Sequence, residues 1–163
     1  MMQKIFPSVM AKNQKELDGL LTKLKGTSAM LHLDIADGKA VPNTSLNFKF
    51  RLNKEFSYNA HLMIKNPEKW IMKNKIKFSL IIPQYEEVEN IKKYILGMEK
   101  KGGKVAFALN PETKIEKIKP YLKEIDFILI LTVHPGFYGA TFLKEPLAKN
   151  FFTPSTLRRL GVR

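Results

Sequence analysis

Short apolar runs separated by amphipathic stretches run through this chain from end to end. KIFPSV, AMLHLDIA, NAHLMI, FSLII, VAFALNP and DFILILTV each read as a strand, bounded by Pro, Gly, Asn or Asp. The stretches between them carry helical spacing. Leu17, Leu20, Leu21 and Leu24 recur at i, i+3, i+4 and i+7 behind Asn13, a candidate N-cap with Glu16 three residues on, and Gly26 is the stop. Asn66 and Pro67 open a short helix, NPEKWIMKN. Val88, Ile91, Ile95 and Met98 share a face of the next helix, which stops at Gly102 and Gly103, and Ile115, Ile118 and Leu122 mark another. Strand alternating with helix predicts an α/β fold around a parallel sheet. One stretch departs from the alternation. SLNFKFRLN alternates strictly, with Leu46, Phe48, Phe50 and Leu52 on one side, and is expected to be extended where a βα repeat would place a helix.

The second strand carries polar chemistry inside an apolar run. Successive strand side chains point to opposite faces, so Leu31, Leu33 and Ile35 share one face while His32, Asp34 and Ala36 share the other. A charged Asp buried without a partner costs about several kcal/mol, so Asp34 requires either a cationic neighbour or a wet strand end. His32, His61 and His134 all fall at or just beyond the C-terminal ends of expected strands, the edge at which parallel α/β proteins bind ligands. His61 and Met63 share a face of their strand, so His61 can point into the same space as His32 and Asp34. Two imidazoles and a carboxylate suit Zn, Fe, Mn or Co, and by spacing alone they equally suit hydrogen-bonded core residues. HPGFYG, just after the last strand, sets two glycines around aromatics, which lets backbone N–H groups approach an anion such as phosphate or simply makes a turn.

Length and composition narrow these readings. With 163 residues, 44% of them hydrophobic, the chain can bury one sizeable core, and a single domain is expected. It has no cysteine, so any metal must be held by His, carboxylate or water. MMQKIFPSVM has no apolar signal region, and no run approaches the roughly 18 apolar residues of a membrane span, so a cytoplasmic protein is expected. A formal net charge of +13 would suit an anionic partner. The lysines are nevertheless scattered along helical faces such as KNQKELDGLLTKLKG and VENIKKYILGMEKKGGK, without aromatic interleaving, and read as solvated surface, so neither nucleic acid nor membrane is expected as a partner. Arg occurs only at positions 51, 158, 159 and 163, and no Lys follows Lys149. Residues 1–149 are therefore expected to form one domain and residues 150–163 an atypical tail, either truncated or frameshifted or simply a divergent end.

Five segments, PSVM, LHLDIADGKAVPN, AHLMIKNP, ALNPET and TVHPGFYGATF, occur in an order and spacing that resembles the ribulose-phosphate 3-epimerase family. The resemblance implies a TIM-barrel-type (β/α)8 fold of which about six of eight βα units are present here. It implies one divalent metal (Zn, Fe, Mn or Co) on His32, Asp34 and His61, with Asp34 also a catalytic acid/base. Ser8, His61 and Met63 would contact the sugar, and Gly136, Phe137, Tyr138 and Gly139 would lie near its phosphate. The implied reaction interconverts ribulose 5-phosphate and xylulose 5-phosphate, a proton leaving and returning at C3 of a phosphorylated ketopentose; a homo-oligomer is left open. Ala36 stands where the family usually has Met, His134 where it usually has Asn, and SLNFKFRLN where it has a second helix. The family's second acid/base Asp, also its fourth metal ligand, lies on a seventh barrel strand, and this sequence ends after the sixth. Impaired turnover is therefore expected, and the alternative is a non-catalytic sugar-phosphate- or metal-binding relative.

Overall fold

The computed structural model describes residues 5–73 and 78–152. Its strands are β1 (Ser8–Val9), β2 (Met30–Asp37), β3 (Thr44–Ser45), β4 (Ser57–Met63), β5 (Leu80–Pro83), β6 (Ala106–Leu109) and β7 (Phe127–Ile130). β1, β2, β4 and β5 pair in that order, all parallel, and β6 pairs parallel with β7. A parallel bridge from Gln84 to Ala108 joins the two groups, while β3 is a short antiparallel addition to β2. Six parallel strands laid side by side in chain order form an arc of a (β/α)8 barrel.

Local chemistry sets the helices. In α1 (Gln14–Lys23), Asn13 Oδ1 accepts from the Glu16 N–H at 2.9 Å and Glu16 Oε2 accepts from the Lys12 N–H at 2.7 Å, so both side chains satisfy backbone donors at the helix start. α2 (Pro67–Lys73) begins on its proline, and Asn90 caps α3 (Ile91–Glu99) through the Lys93 N–H at 2.9 Å. The outward faces of β2 and β4, Leu31, Leu33, Ile35, Ala60, Leu62 and Ile64, bury against Leu17 and Leu21 of α1. A second core gathers Val88, Ile95, Phe107, Ile115, Ile118 and Leu122 around β6. Each fully buried aliphatic side chain contributes about 1.5–3 kcal/mol, which leaves the inward face free to carry polar groups.

Three sequence expectations are refined. Beyond Ser45, SLNFKFRLN forms no strand, yet Leu46 and Phe50 are buried and Phe48 and Leu52 pack on the same core. The segment substitutes for a helix as an extended cover, held by the Leu46 N–H to Ala11 O at 2.7 Å and by the Gln14 amide, which exchanges hydrogen bonds of 2.9 and 3.0 Å with the Arg51 backbone. Ile115, Ile118 and Leu122 lie on two 3-10 turns, Ile115–Lys117 and Lys119–Tyr121, rather than on an α-helix. Pro120 explains it: proline lacks the N–H an α-helix needs there and crowds the preceding turn. Val88 precedes α3 but packs in the core with it. Lys4, Asn74 and residues 153–163, the last being most of the expected tail, lie outside the described residues.

At the β7 edge Phe127 is exposed, and Leu129 and Leu131 are only half-buried. Among the described residues no helix is long and apolar enough to cross a membrane. If the extended cover holds the core shut, Phe50→Ala will lower the unfolding free energy by about 3–5 kcal/mol and the exposed neighbour Lys49→Ala by less than about 0.5 kcal/mol. Urea denaturation followed by circular dichroism reads both.

Candidate active site

Parallel register brings the inward polar residues together. Asp34 on β2 is the partner of His61 on β4, and Ser8 on β1 is the partner of His32. The Ser8 hydroxyl donates to Asp34 Oδ2, and His61 Nδ1–H donates to Asp34 Oδ1 at 2.9 Å. His32 Nε2 lies 3.5 Å from the same Oδ1, with the two imidazole centres 5.8 Å apart. Burial by itself would push the Asp34 carboxyl up; the His61 hydrogen bond, the charges of His61 and His32 and the Ser8 hydroxyl outweigh it and hold it below the ordinary carboxylate value. Burial pushes the His32 imidazole down, against the attraction of Asp34, and His61 adds to the fall.

The hydrogen bond to Asp34 decides the tautomer of His61. With Nδ1 as the donor, a neutral imidazole carries its lone pair on Nε2, and that atom is buried with no hydrogen-bond partner among the described residues. A buried polar atom without a partner costs about 1–3 kcal/mol, a cost that a cation on Nε2 would remove. The ligand atoms of His32, Asp34 and His61 lie within 4.8 Å of one another, so the donor set, its spacing and the orphaned nitrogen all fit a divalent metal.

These residues sit in a cleft of about 310 Å³. Ser8, Met10 and Met63 line it from the strand side; Gly136, Phe137, Tyr138 and Gly139 line it from the loop after β7. The cleft thus gathers every residue singled out for metal, acid/base or substrate contact. His134 also lines it, but is exposed and pairs with Glu112, its Nδ1 3.4 Å from Oε1, outside the metal-fitting group. Ala36 packs with Val41 and Met63 in a small buried cluster.

The loops are anchored by side chains that strand periodicity does not mark. Asp37 accepts from the N–H groups of Lys39, Ala40 and Lys65 at 2.8, 3.0 and 3.0 Å, fixing the turn after β2 to the end of β4; the Asp-Gly pair is its sequence signal. Asn43 Nδ2 donates to Gly136 O at 2.6 Å, and the Tyr138 hydroxyl accepts from the Met10 N–H at 2.7 Å, tying the last loop to β3's approach and to the end of β1. Gly136 has φ 109°, and a Cβ there would meet Val41 Cβ at 3.1 Å, so both backbone and space demand glycine.

Comparison with known proteins places this geometry. A family model described as "Ribulose-phosphate 3 epimerase family" matches residues 4–155. The chain belongs to the ribulose-phosphate 3-epimerase family. Family members with that name include a Schizosaccharomyces pombe protein, 34% identical over 98% of this chain and 74% of its own length. A Chlamydia trachomatis epimerase is 31% identical over 81% of the chain, the match spanning 59% of the relative, and a Chlamydia muridarum epimerase is 28% identical over 96% and 72%. The six-strand parallel arc is accordingly part of the family's TIM barrel.

Three outcomes follow for this epimerase-family cleft. Calorimetric titration with Mn²⁺ or Zn²⁺ is expected to show binding that His61→Ala weakens by at least about 10–100-fold. Burial holds the His32 imidazole below its ordinary 6.5, so ¹H–¹⁵N NMR of the metal-free protein is expected to find that ring mostly neutral, and so able to ligate, at pH 6.5; a His32 ring still fully protonated at that pH would contradict its burial. Gly136→Ala, with its fold checked by circular dichroism, is expected to weaken sugar-phosphate binding in the same calorimeter, through strain of about 1–3 kcal/mol in the loop.

Proposed function

We propose that this cleft moves the C3 proton of a pentulose 5-phosphate, the chemistry that interconverts ribulose 5-phosphate and xylulose 5-phosphate. The observation that carries the reading is the Asp34 carboxylate held on the inward sheet face by Ser8 and His61, beside the unpartnered His61 Nε2. Inverting a carbon next to a ketone requires a base that is ionised before substrate arrives. Asp34 meets that requirement, because its neighbours keep its carboxyl below the ordinary value. Two hydrogen bonds also fix its orientation, so one carboxylate face is presented to the cleft.

His32, Asp34 and His61 would hold the divalent metal, and a bound metal supplies Lewis-acid stabilisation of the negative charge that develops on the sugar's oxygens when the proton leaves. Zn, Fe, Mn and Co all suit the donor set. Ser8 both orients Asp34 and reaches the sugar. Met63 gives the sugar an apolar wall, and the Gly136 to Gly139 turn offers backbone N–H groups to the phosphate, with Phe137 and Tyr138 closing over it. His61 has a double task, carrying the Asp34 hydrogen bond on one nitrogen and the metal on the other.

Deuterium incorporation at C3 of ribulose 5-phosphate in heavy water, followed by proton NMR with Mn²⁺ or Zn²⁺ present, tests the proposal. The chain is expected to exchange C3–H, and Asp34→Asn to slow exchange about 10²–10⁴-fold while circular dichroism stays unchanged. Binding of ribulose 5-phosphate without exchange would replace the catalytic reading by that of a sugar-phosphate-binding relative.

A further inference from the structure

Beside the metal cleft, sharing only His134 and Pro135 with it, lies a second cavity of about 250 Å³. Gln84, directly after β5, and Asn110, directly after β6, form one side, and the loop at Val41 and Pro42 forms another. Gln84 is 2% exposed, and its Nε2 donates to Asn110 Oδ1 at 2.8 Å. Its Oε1 is buried with no hydrogen-bond partner among the described residues. An acceptor left in that state is destabilising, and a donor entering the cavity would remove the cost.

The charge of the lining selects the donor. In a chain of formal charge +13, this cavity is lined, among the described residues, by two carboxylates, Glu87 and Glu112, and by no Lys or Arg. Glu87 is ion-paired with Lys65 at 2.6 Å, and Glu112 meets the His134 imidazole, 3.4 Å away. An anionic ligand would face both carboxylates and find no cation in the wall. A bare metal ion is also a poor match, because the volume is several times the roughly 30 Å³ share of one water and the only metal-fitting group among the described residues is His32, Asp34 and His61. We propose that the cavity is a second binding site, for a small organic ammonium ligand whose N–H groups are accepted by the Gln84 carbonyl and the Glu112 carboxylate. None of the metal-fitting residues lines it, so its failure and that of the epimerase reading are separable.

The probe is ethanolamine, titrated into the whole chain and followed by ¹H–¹⁵N NMR, with ethylene glycol and glycolate as uncharged and anionic counterparts. Ethanolamine is expected to shift the side-chain amides of Gln84 and Asn110 and the ring of His134 saturably, with ethylene glycol and glycolate at least about tenfold weaker. Gln84→Leu, which keeps the volume and removes the carbonyl, is expected to weaken ethanolamine about tenfold. Glu112→Gln, at an exposed side chain that the fold does not need, is expected to weaken it about two- to fivefold. Equal shifts from the three probes, parent-like ethanolamine binding by Glu112→Gln, or shifts appearing instead at His32 and His61 would each overturn the proposal.

Discussion

The hydrogen bond from His61 to Asp34 is the interaction on which the cleft's chemistry depends. A carboxylate on the inner face of a barrel strand is costly unless it is paired, and here the pairing comes from the neighbouring strand. Parallel register sets Asp34 opposite His61. A slip of one residue would turn His61 to the helix-facing side and put Leu62 in its place, leaving a buried charge without a donor. The same bond fixes which imidazole nitrogen is free. Stability of the sheet register and readiness of the site for a metal are therefore one constraint, expressed at one pair of side chains.

Around that pair, loops are tied to one another more than to the core. Asp37 binds the turn after β2 to the end of β4, Asn43 reaches Gly136, and Tyr138 reaches Met10. Each tie spans two elements that are distant in sequence, so the glycine turn is held over the cleft. That is how Phe137 and Tyr138 can remain exposed, at 53% and 64%, while Gly136 is packed against Val41. A loop proposed to face phosphate needs this combination of a fixed position and free backbone donors.

Much of this was legible in the sequence, for physical reasons that differ from one residue to another. Alternation in LHLDIA separated the oily face from the polar one, because strand period two leaves no freedom about which side chains share a face. His32, Asp34 and His61 could therefore be placed in one space from the sequence alone, while Ser8, and the roles of all four, came from the family resemblance. That Leu46, Phe48, Phe50 and Leu52 share one side of an extended segment also followed from alternation, but the absence of a strand beyond Ser45 did not, since alternation reports which side chains share a side and says nothing of hydrogen-bond partners. The helix expected through Ile115, Ile118 and Leu122 failed at Pro120, where proline chemistry overrides apolar spacing. Gln84 and the Asn43 tie were illegible because they act through contacts between residues far apart in the chain, which no local period encodes.

The free nitrogen of His61 joins the fold to the chemistry, and long-range ¹H–¹⁵N NMR of its imidazole observes that atom directly. In the metal-free protein the neutral form of His61 is expected to carry its hydrogen on Nδ1 and a lone pair on Nε2, and addition of Zn²⁺ to move the Nε2 resonance while Nδ1 keeps its hydrogen. Hydrogen on Nε2 of that neutral form, or an Nε2 resonance indifferent to Zn²⁺, would contradict the account.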